Sequence, residues 1–274
     1  MTWFHALRRR LRPRTRYRAS SVGALGVASW IRWRIAVARS PRIPYGTPLV
    51  LTSRLARFPL LARAGSTDLR VFHQIFVERE YAPLDDVRDA SLIIDCGANV
   101  GYSSAYFATR FPAAALVAVE PDPGNFDLLA RNLAPYGQQV TLVRSAVWSR
   151  PAHLVLTERT RGAGREWART VEECEAEREG ALVATDVPAL LARSGRDRIS
   201  ILKMDVEGAE AEIFSGPCEW LDRVELLVIE LHGPPWFPDG ATPFHAAMDG
   251  RGFELQRAGE LTIARRTPAA TALP

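Results

Sequence analysis

The stretch Leu92-Ile-Ile-Asp-Cys-Gly-Ala-Asn-Val-Gly101 decides the fold of this chain. Four apolar or acidic strand residues lead into a turn with two glycines, and a second apolar run, Leu116-Val-Ala-Val-Glu120, ends in a carboxylate. The segment between them is long enough for one helix, which we expect at 102–110. The pattern therefore predicts a strand–loop–helix–strand unit that binds an adenosine-containing ligand, with the acid on the ribose hydroxyls.

The loop sequence distinguishes between adenosine-containing ligands. A dinucleotide loop carries Gly-x-Gly-x-x-Gly, which lets the backbone close on a pyrophosphate, but this chain has Asp95-x-Gly97-x-Asn99-x-Gly101. An acid before the first glycine would repel a pyrophosphate, whereas it can face the ammonium group of S-adenosylmethionine. The loop amides can hold the carboxylate of that molecule, and Glu120 can bind its ribose. The alternative is an ordinary turn that tolerates two glycines.

Several segments of the chain resemble the FkbM-type S-adenosylmethionine-dependent methyltransferases, and the similarity covers about residues 66–232. The segments are 66–81, 94–104, 119–126 and 202–210, of which the last contains the specific Asp-Val-Glu-Gly-Ala-Glu core. The resemblance implies transfer of a methyl group to a hydroxyl of a small molecule or sugar, in a glycan or secondary-metabolite pathway. It also implies that Ser145 and Ala146 contact the adenine. Asp122, just after Glu120, is expected near the nucleoside.

Candidate catalytic residues follow the fourth and fifth parallel strands, which we expect at 199–205 and 225–231. Lys203 is the only lysine of the chain. A lysine inside a parallel strand is costly unless it is paired, so Lys203 either stiffens the site through an ion pair or polarises the substrate. Asp205 is interpreted as a base or as a group that orients the acceptor, with Glu207 beside it. Glu207 and Glu210 would also complement the dipole of the helix they begin.

His232 ends the fifth strand and could accept a hydroxyl proton at neutral pH. A histidine that is only hydrogen-bonded at a strand end is the alternative. Asp205, Glu207, Glu230 and His232 could together bind a divalent ion such as Mg²⁺. Metal-independent transfer is nevertheless the favoured interpretation, and no metal ligand is assigned.

The alternation of strands and helices predicts an α/β fold, a Rossmann-like, seven-stranded and mostly parallel sheet with helices on both faces. We expect a basic, Arg-rich helical extension over residues 1–48 and the methyltransferase domain over 49–274, with a mobile insertion at 158–182. No apolar run is long enough to cross a membrane, and the cysteines form no Cys-x-x-Cys pair. The cytoplasm is therefore the expected compartment.

The charge of the chain is unevenly distributed. Residues 1–67 contain 14 arginines and no Asp, Glu or Lys, so the net charge of +4 hides a basic segment followed by an acidic one. Arginines near Trp30 and Trp33 suit an anionic membrane surface, which predicts peripheral membrane contact through residues 1–40. A solvated arm and a helix packed on a partner subunit are the alternatives. The sequence does not indicate an oligomeric state.

Two other functions are compatible with the sequence. The first is a nucleic-acid methyltransferase that holds phosphates with the arginine-rich segment, although a small-molecule or sugar acceptor is favoured over nucleic acid. The second is a non-catalytic binding module that has kept the cofactor fold. Deleting residues 1–40 tests the first alternative. A nucleic-acid methyltransferase should then lose activity, with a steep salt dependence, whereas an enzyme with a small-molecule acceptor should change little. Titration with S-adenosylmethionine, together with a transfer assay, tests the second.

Overall fold

The structure, a computed structural model, describes residue 23 and residues 25–158 and 169–267. The chain divides into two compact units, which meet in the sequence at Ala82 and Pro83. The domain boundary expected between residues 48 and 49 therefore falls inside the first unit. Within the described residues, no helix combines the length and the apolar character that crossing a bilayer would need.

The first unit combines two helices with an antiparallel hairpin. Its elements are helix α1 (Val27–Arg39), strands β1 (Pro48–Leu51) and β2 (Leu60–Arg63), and helix α2 (Asp68–Phe72), which continues as a π-helical turn (His73–Val77). Trp33 is buried and stacks on the ring of His73 at 5.1 Å between centroids. Of the helical extension expected over residues 1–48, the structure shows the helix Val27–Arg39, whereas residues 1–22 lie outside the described part.

The second unit is built on a seven-stranded sheet with the order β12-β13-β11-β10-β3-β4-β5. Its central strands run parallel, while β13 is antiparallel to β11 and β12. The prediction of a seven-stranded, mostly parallel sheet is confirmed. The strands are β3 (Leu92–Cys96), β4 (Ala115–Val119), β5 (Val140–Val143), β10 (Ile201–Met204), β11 (Leu226–Glu230), β12 (Phe253–Ala258) and β13 (Leu261–Arg266).

Helices cover both faces of this sheet, because its central strands are apolar on both sides. On one face, Leu92, Ile94 and Cys96 of β3 join a core cluster with residues of α5, α6 and α7. On the other face, α3 lies against β3, since two of its serines bond to the Asp95 carboxylate. The helices are α3 (Tyr102–Arg110), α4 (Pro123–Leu133), α5 (Val187–Ser194), α6 (Glu210–Ser215) and α7 (Ala241–Met248).

A second, four-stranded sheet has the order β6-β9-β7-β8. Its strands are β6 (Ala146–Val147), β7 (Ala152–Glu158), β8 (Arg169–Glu173) and β9 (Ala181–Thr185). Part of the segment expected as a mobile insertion, 158–182, is strand: β8 lies antiparallel to β7, with Val171 opposite Leu156. This pairing satisfies the backbone hydrogen-bonding groups of β8, and the charged local sequence did not predict it. Residues 159–168 lie outside the described part.

The strand order of the sheet reverses between β3 and β10. From β3 the chain adds β4 and β5 on one side, and β10 and β11 lie on the other. Ligands of such sheets bind beyond the carboxyl ends of the strands at this switch point. The residues after β3, β4 and β10 therefore form the candidate site.

Candidate active site

A cavity opens to solvent at the carboxyl ends of β3, β4 and β10. It brings together most of the residues that the sequence predicted, namely Gly97, Asn99, Glu120, Asp122, Ser145, Ala146, Asp205 and Glu207. Four other predicted residues do not line it: Asp95, Gly101, Lys203 and His232.

The loop after β3 needs its glycines for two different reasons. Gly97 and Gly101 have φ angles of +76° and +87°, in the left-handed region that costs other residues free energy. A Cβ on Gly97 would also lie 1.9 Å from the carbonyl oxygen of Asp205. The first glycine therefore lets the loop and the end of β10 approach each other at the switch point.

Glu120 is the acid at the tip of β4, and it is held from two sides. One carboxylate oxygen accepts the Asn99 N–H at 2.9 Å, and the other accepts the Asp122 N–H at 3.0 Å. Burial raises the pKa of Glu120 to about 7, although these backbone hydrogen bonds oppose the shift. The oxygen that faces Asp122 also accepts the Asn125 side-chain amide at 3.5 Å. The other oxygen retains a lone pair, so the carboxylate can accept a further hydroxyl hydrogen bond in the cavity.

The predicted nucleoside residues line the same cavity but use their side chains locally. Asp122 caps α4, because its carboxylate accepts the Asn125 N–H at 2.8 Å. The Ser145 hydroxyl donates to the carbonyl oxygen of Val183 at 2.7 Å, which ties the end of β5 to β9. Ser145 and Ala146 thus hold the edge of the cavity in place and offer it mainly backbone.

Asp95 and Lys203 form a buried ion pair behind the cavity. They are register partners in the β3–β10 pair, and the Lys203 Nζ lies 3.2 Å from the Asp95 carboxylate. Asp95 also accepts the hydroxyls of Ser103 and Ser104, both at 2.6 Å. The Lys203 ammonium donates to the carbonyl oxygen of Gly97 at 2.7 Å. This arrangement matches the stiffening role that the sequence left open for Lys203, and its ammonium lies 3.9 Å from Asp205.

A cluster of carboxylates surrounds His232 beside the cavity. The His232 Nε2 lies 3.9 Å from Asp205, 3.7 Å from Glu207 and 3.8 Å from Glu230. Its Nδ1 lies 2.9 Å from Glu210, which is fully buried and also accepts the N–H groups of Val206 and Gly208. The imidazole is therefore fixed through Nδ1, and Nε2 faces the acids.

The pKa values of both His232 and Glu207 are raised in this cluster. Burial by itself lowers the pKa of His232, but the hydrogen bond with Glu210 and the charges of Glu210, Asp205 and Glu207 outweigh it and raise the pKa to about 10. Burial and the charge of Asp205 raise the pKa of Glu207. At neutral pH the imidazole therefore carries a proton.

Asp205, Glu207 and His232 could also hold a metal ion, because one ligand atom of each lies within 4.8 Å of the others. Carboxylate and imidazole ligands suit several divalent ions. The sequence-based preference for metal-independent transfer stays a prediction.

Sequence reasoning missed two parts of this site. Glu210 was assigned mainly to a helix-dipole role, although the Asp-Val-Glu-Gly-Ala-Glu motif does point to it. The apolar wall of the cavity, formed by Val147, Leu156 and Val171, had no local signal, because it depends on the pairing of β7 with β8.

Comparison with known proteins supports one family. The family described as "Methyltransferase FkbM domain" matches residues 95–255, which include every predicted site residue. The chain is similar to "Methyltransferase sdnD" of Sordaria araneosa, with 29% identity over 219 residues that cover 68% of this chain and 82% of the relative.

Two further relatives carry more specific names. "2-O-methyltransferase NoeI" of Sinorhizobium fredii is 24% identical, covering 74% of this chain and 86% of the relative. "Hexuronic acid methyltransferase AglP" of Haloferax volcanii is 24% identical, covering 54% of this chain and 59% of the relative.

Proposed function

Because this chain belongs to the FkbM methyltransferase family, we propose that it transfers a methyl group from S-adenosylmethionine to a hydroxyl of a small molecule or sugar, in a glycan or secondary-metabolite pathway. One observation carries the proposal: a single cavity at the switch point is lined both by Glu120, a ribose-binding acid, and by Asp205, an acid placed to take a proton. Relatives named as a 2-O-methyltransferase and a hexuronic acid methyltransferase support the hydroxyl and the sugar.

The residues around the loop after β3 suit S-adenosylmethionine, which would supply a methyl group on a sulfonium and a neutral thioether as the leaving group. Glu120 presents a carboxylate oxygen whose remaining lone pair fits a ribose hydroxyl. Gly97 and Asn99 present loop backbone to the cavity, while Ser145 and Ala146 edge it. Asp95 acts on this loop from behind, through Lys203, rather than from the cavity surface. We therefore assign Asp95 to holding the loop in shape.

We assign the proton transfer to Asp205. The attacking hydroxyl oxygen forms a bond to the methyl carbon as the sulfur–carbon bond breaks, the sulfur keeps the electron pair, and the hydroxyl proton goes to the Asp205 carboxylate. A carboxylate suffices as general base, because the hydroxyl becomes strongly acidic as its oxygen is alkylated. His232 is protonated at neutral pH, so it cannot accept this proton. Its positive charge instead balances the surrounding carboxylates.

Glu210 and Lys203 are positioning residues in this scheme. Glu210 fixes the imidazole through Nδ1, and its burial keeps water from competing for that hydrogen bond. Lys203 links β10 to the loop after β3, so that Asp205 and Gly97 keep their relative positions. Accurate placement of the reacting groups is a major contribution in a displacement reaction.

Calorimetric titration with S-adenosylmethionine, followed by labelled-methyl transfer to a panel of sugars and phenols, tests the proposal. We expect Asp205→Asn to bind S-adenosylmethionine but to transfer methyl about 100-fold more slowly, because it loses a general base. Transfer to nucleic acid but not to any small hydroxyl compound, or an Asp205→Asn variant as active as the parent, would refute the assignment. Binding without transfer to any acceptor would favour the non-catalytic module.

A further inference from the structure

We propose that α1 carries a surface that binds anionic lipid bilayers. This surface, the aliphatic face, consists of Val27, Ile31 and Ile35, which follow one another at four-residue intervals and so lie on one side of the helix. Their exposed fractions are 62%, 46% and 50%. Branched aliphatic side chains in a row along one helix face normally contact an apolar partner.

The orientation of the aliphatic face is fixed by contacts on the opposite side of α1. There Trp33 and Ala36 are buried, and the Trp33 ring stacks on His73. On the same helix, the Ser29 hydroxyl is hydrogen-bonded to Thr52 at 2.8 Å, next to the β1–β2 hairpin. The inward side of α1 is thus already occupied, and the aliphatic face is exposed.

The charged residues of α1 itself are all arginines. Arg34 lies among the aliphatic residues, with its guanidinium 5.8 Å from the centre of the Trp30 ring, while Arg32 and Arg39 are exposed beside them. No acidic residue occurs before Asp68, so no carboxylate of this segment neutralises these arginines. A tryptophan and arginines around an aliphatic row are typical of helices that lie in a membrane interface.

This combination favours an anionic bilayer over the other partners. A nucleic acid would satisfy the arginines but would leave Val27, Ile31 and Ile35 in water. A second copy of the same surface would bring like charges together, which is unfavourable. Only an anionic bilayer offers phosphate headgroups and hydrocarbon at the depths that a single helix reaches.

Co-sedimentation of the full chain with vesicles tests the proposal. We expect binding to vesicles of equal parts phosphatidylcholine and phosphatidylglycerol, weaker binding at high salt, and little binding to pure phosphatidylcholine. The double variant Ile31→Ser/Ile35→Ser should bind about tenfold more weakly, because less apolar area is buried. Arg32→Gln should reduce binding about fivefold, since each basic residue contributes to attraction by the anionic surface.

The matched control is Val183→Ser, which changes another exposed valine, 62% accessible, on strand β9. We expect it to bind anionic vesicles like the parent chain. All the substituted side chains are exposed, so thermal unfolding should show each variant folded. The proposal is overturned if the parent ignores anionic vesicles or if Ile31→Ser/Ile35→Ser binds them unchanged. It is also overturned if that variant instead loses a dimer seen by sedimentation equilibrium.

Discussion

Replacing Gly97 by alanine tests how closely the loop after β3 and the end of β10 must approach. A Cβ at this position would lie 1.9 Å from the Asp205 carbonyl oxygen, whereas contacts under 3.0 Å essentially never occur. The two segments would have to separate by roughly 1 Å, the difference between these distances. The atom in the way is backbone, so no side-chain rotation can relieve the clash.

Two costs follow from this geometry. A side chain in the left-handed region costs about 1–2 kcal/mol of unfolding free energy, and Gly97 has a φ of +76°. A displacement of about 1 Å of the reacting groups can lower a reaction rate about 100-fold, and we expect an effect of similar size on the binding of a ligand that this loop contacts. We therefore expect Gly97→Ala to bind S-adenosylmethionine about 100-fold more weakly and to unfold at a lower temperature, as measured by calorimetric titration and scanning calorimetry.

Gly195→Ala is the matched control. Gly195 follows α5 with a φ of +67°, and a Cβ there would meet nothing within 4 Å. Gly195→Ala should therefore be destabilised only by its backbone conformation. We expect it to lower the unfolding temperature by about 4 °C and to leave the affinity for S-adenosylmethionine unchanged. The reasoning is refuted if Gly97→Ala binds S-adenosylmethionine like the parent, or if both variants lose affinity equally.

Three further predictions concern the carboxylates and metal dependence. Because Glu120 has a pKa of about 7 and binds a ribose hydroxyl best when it is ionised, affinity for S-adenosylmethionine should rise about tenfold between pH 6 and pH 8. Glu120→Gln should bind weakly with no such pH dependence in calorimetric titration. Glu210→Gln should lower the pKa of His232, followed by imidazole NMR, and reduce kcat while the KM for S-adenosylmethionine is unchanged; Glu212→Gln, whose carboxylate bonds to Ser149 instead, should change neither. Dialysis against EDTA should leave the transfer rate unchanged, and a loss that Mg²⁺ restores would show that the cluster around His232 holds an ion.

The local pattern of the sequence predicted the elements that depend on neighbouring residues. The alternation of strands and helices predicted a mostly parallel sheet covered on both faces, and β3 is buried at all five positions. The helix expected at 102–110 is α3 as observed. The loop pattern placed glycines where the backbone has positive φ, at Gly97 and Gly101.

The partners of the charged residues could not be predicted in the same way. Asp95 was expected to face the ligand, but in the structure it pairs with Lys203, far away in the sequence. Glu210 was assigned mainly to a helix-dipole role, but in the structure its carboxylate is hydrogen-bonded with His232. A mobile insertion was expected at 158–182, but this segment contains strand β8. Its pairing with β7 depends on residues that are distant in the sequence.

The sequence by itself determined the succession of strands and helices, the glycine loop and the acids that follow the strands. These features depend on periodicity and backbone conformation, which act over a few residues. The tertiary structure decided which acids meet the cavity, which are neutralised behind it and which hold His232. Those outcomes depend on strand register: Asp95 and Lys203 are paired residues of β3 and β10, and a slip of one strand by one position would turn its member of the pair to the opposite face.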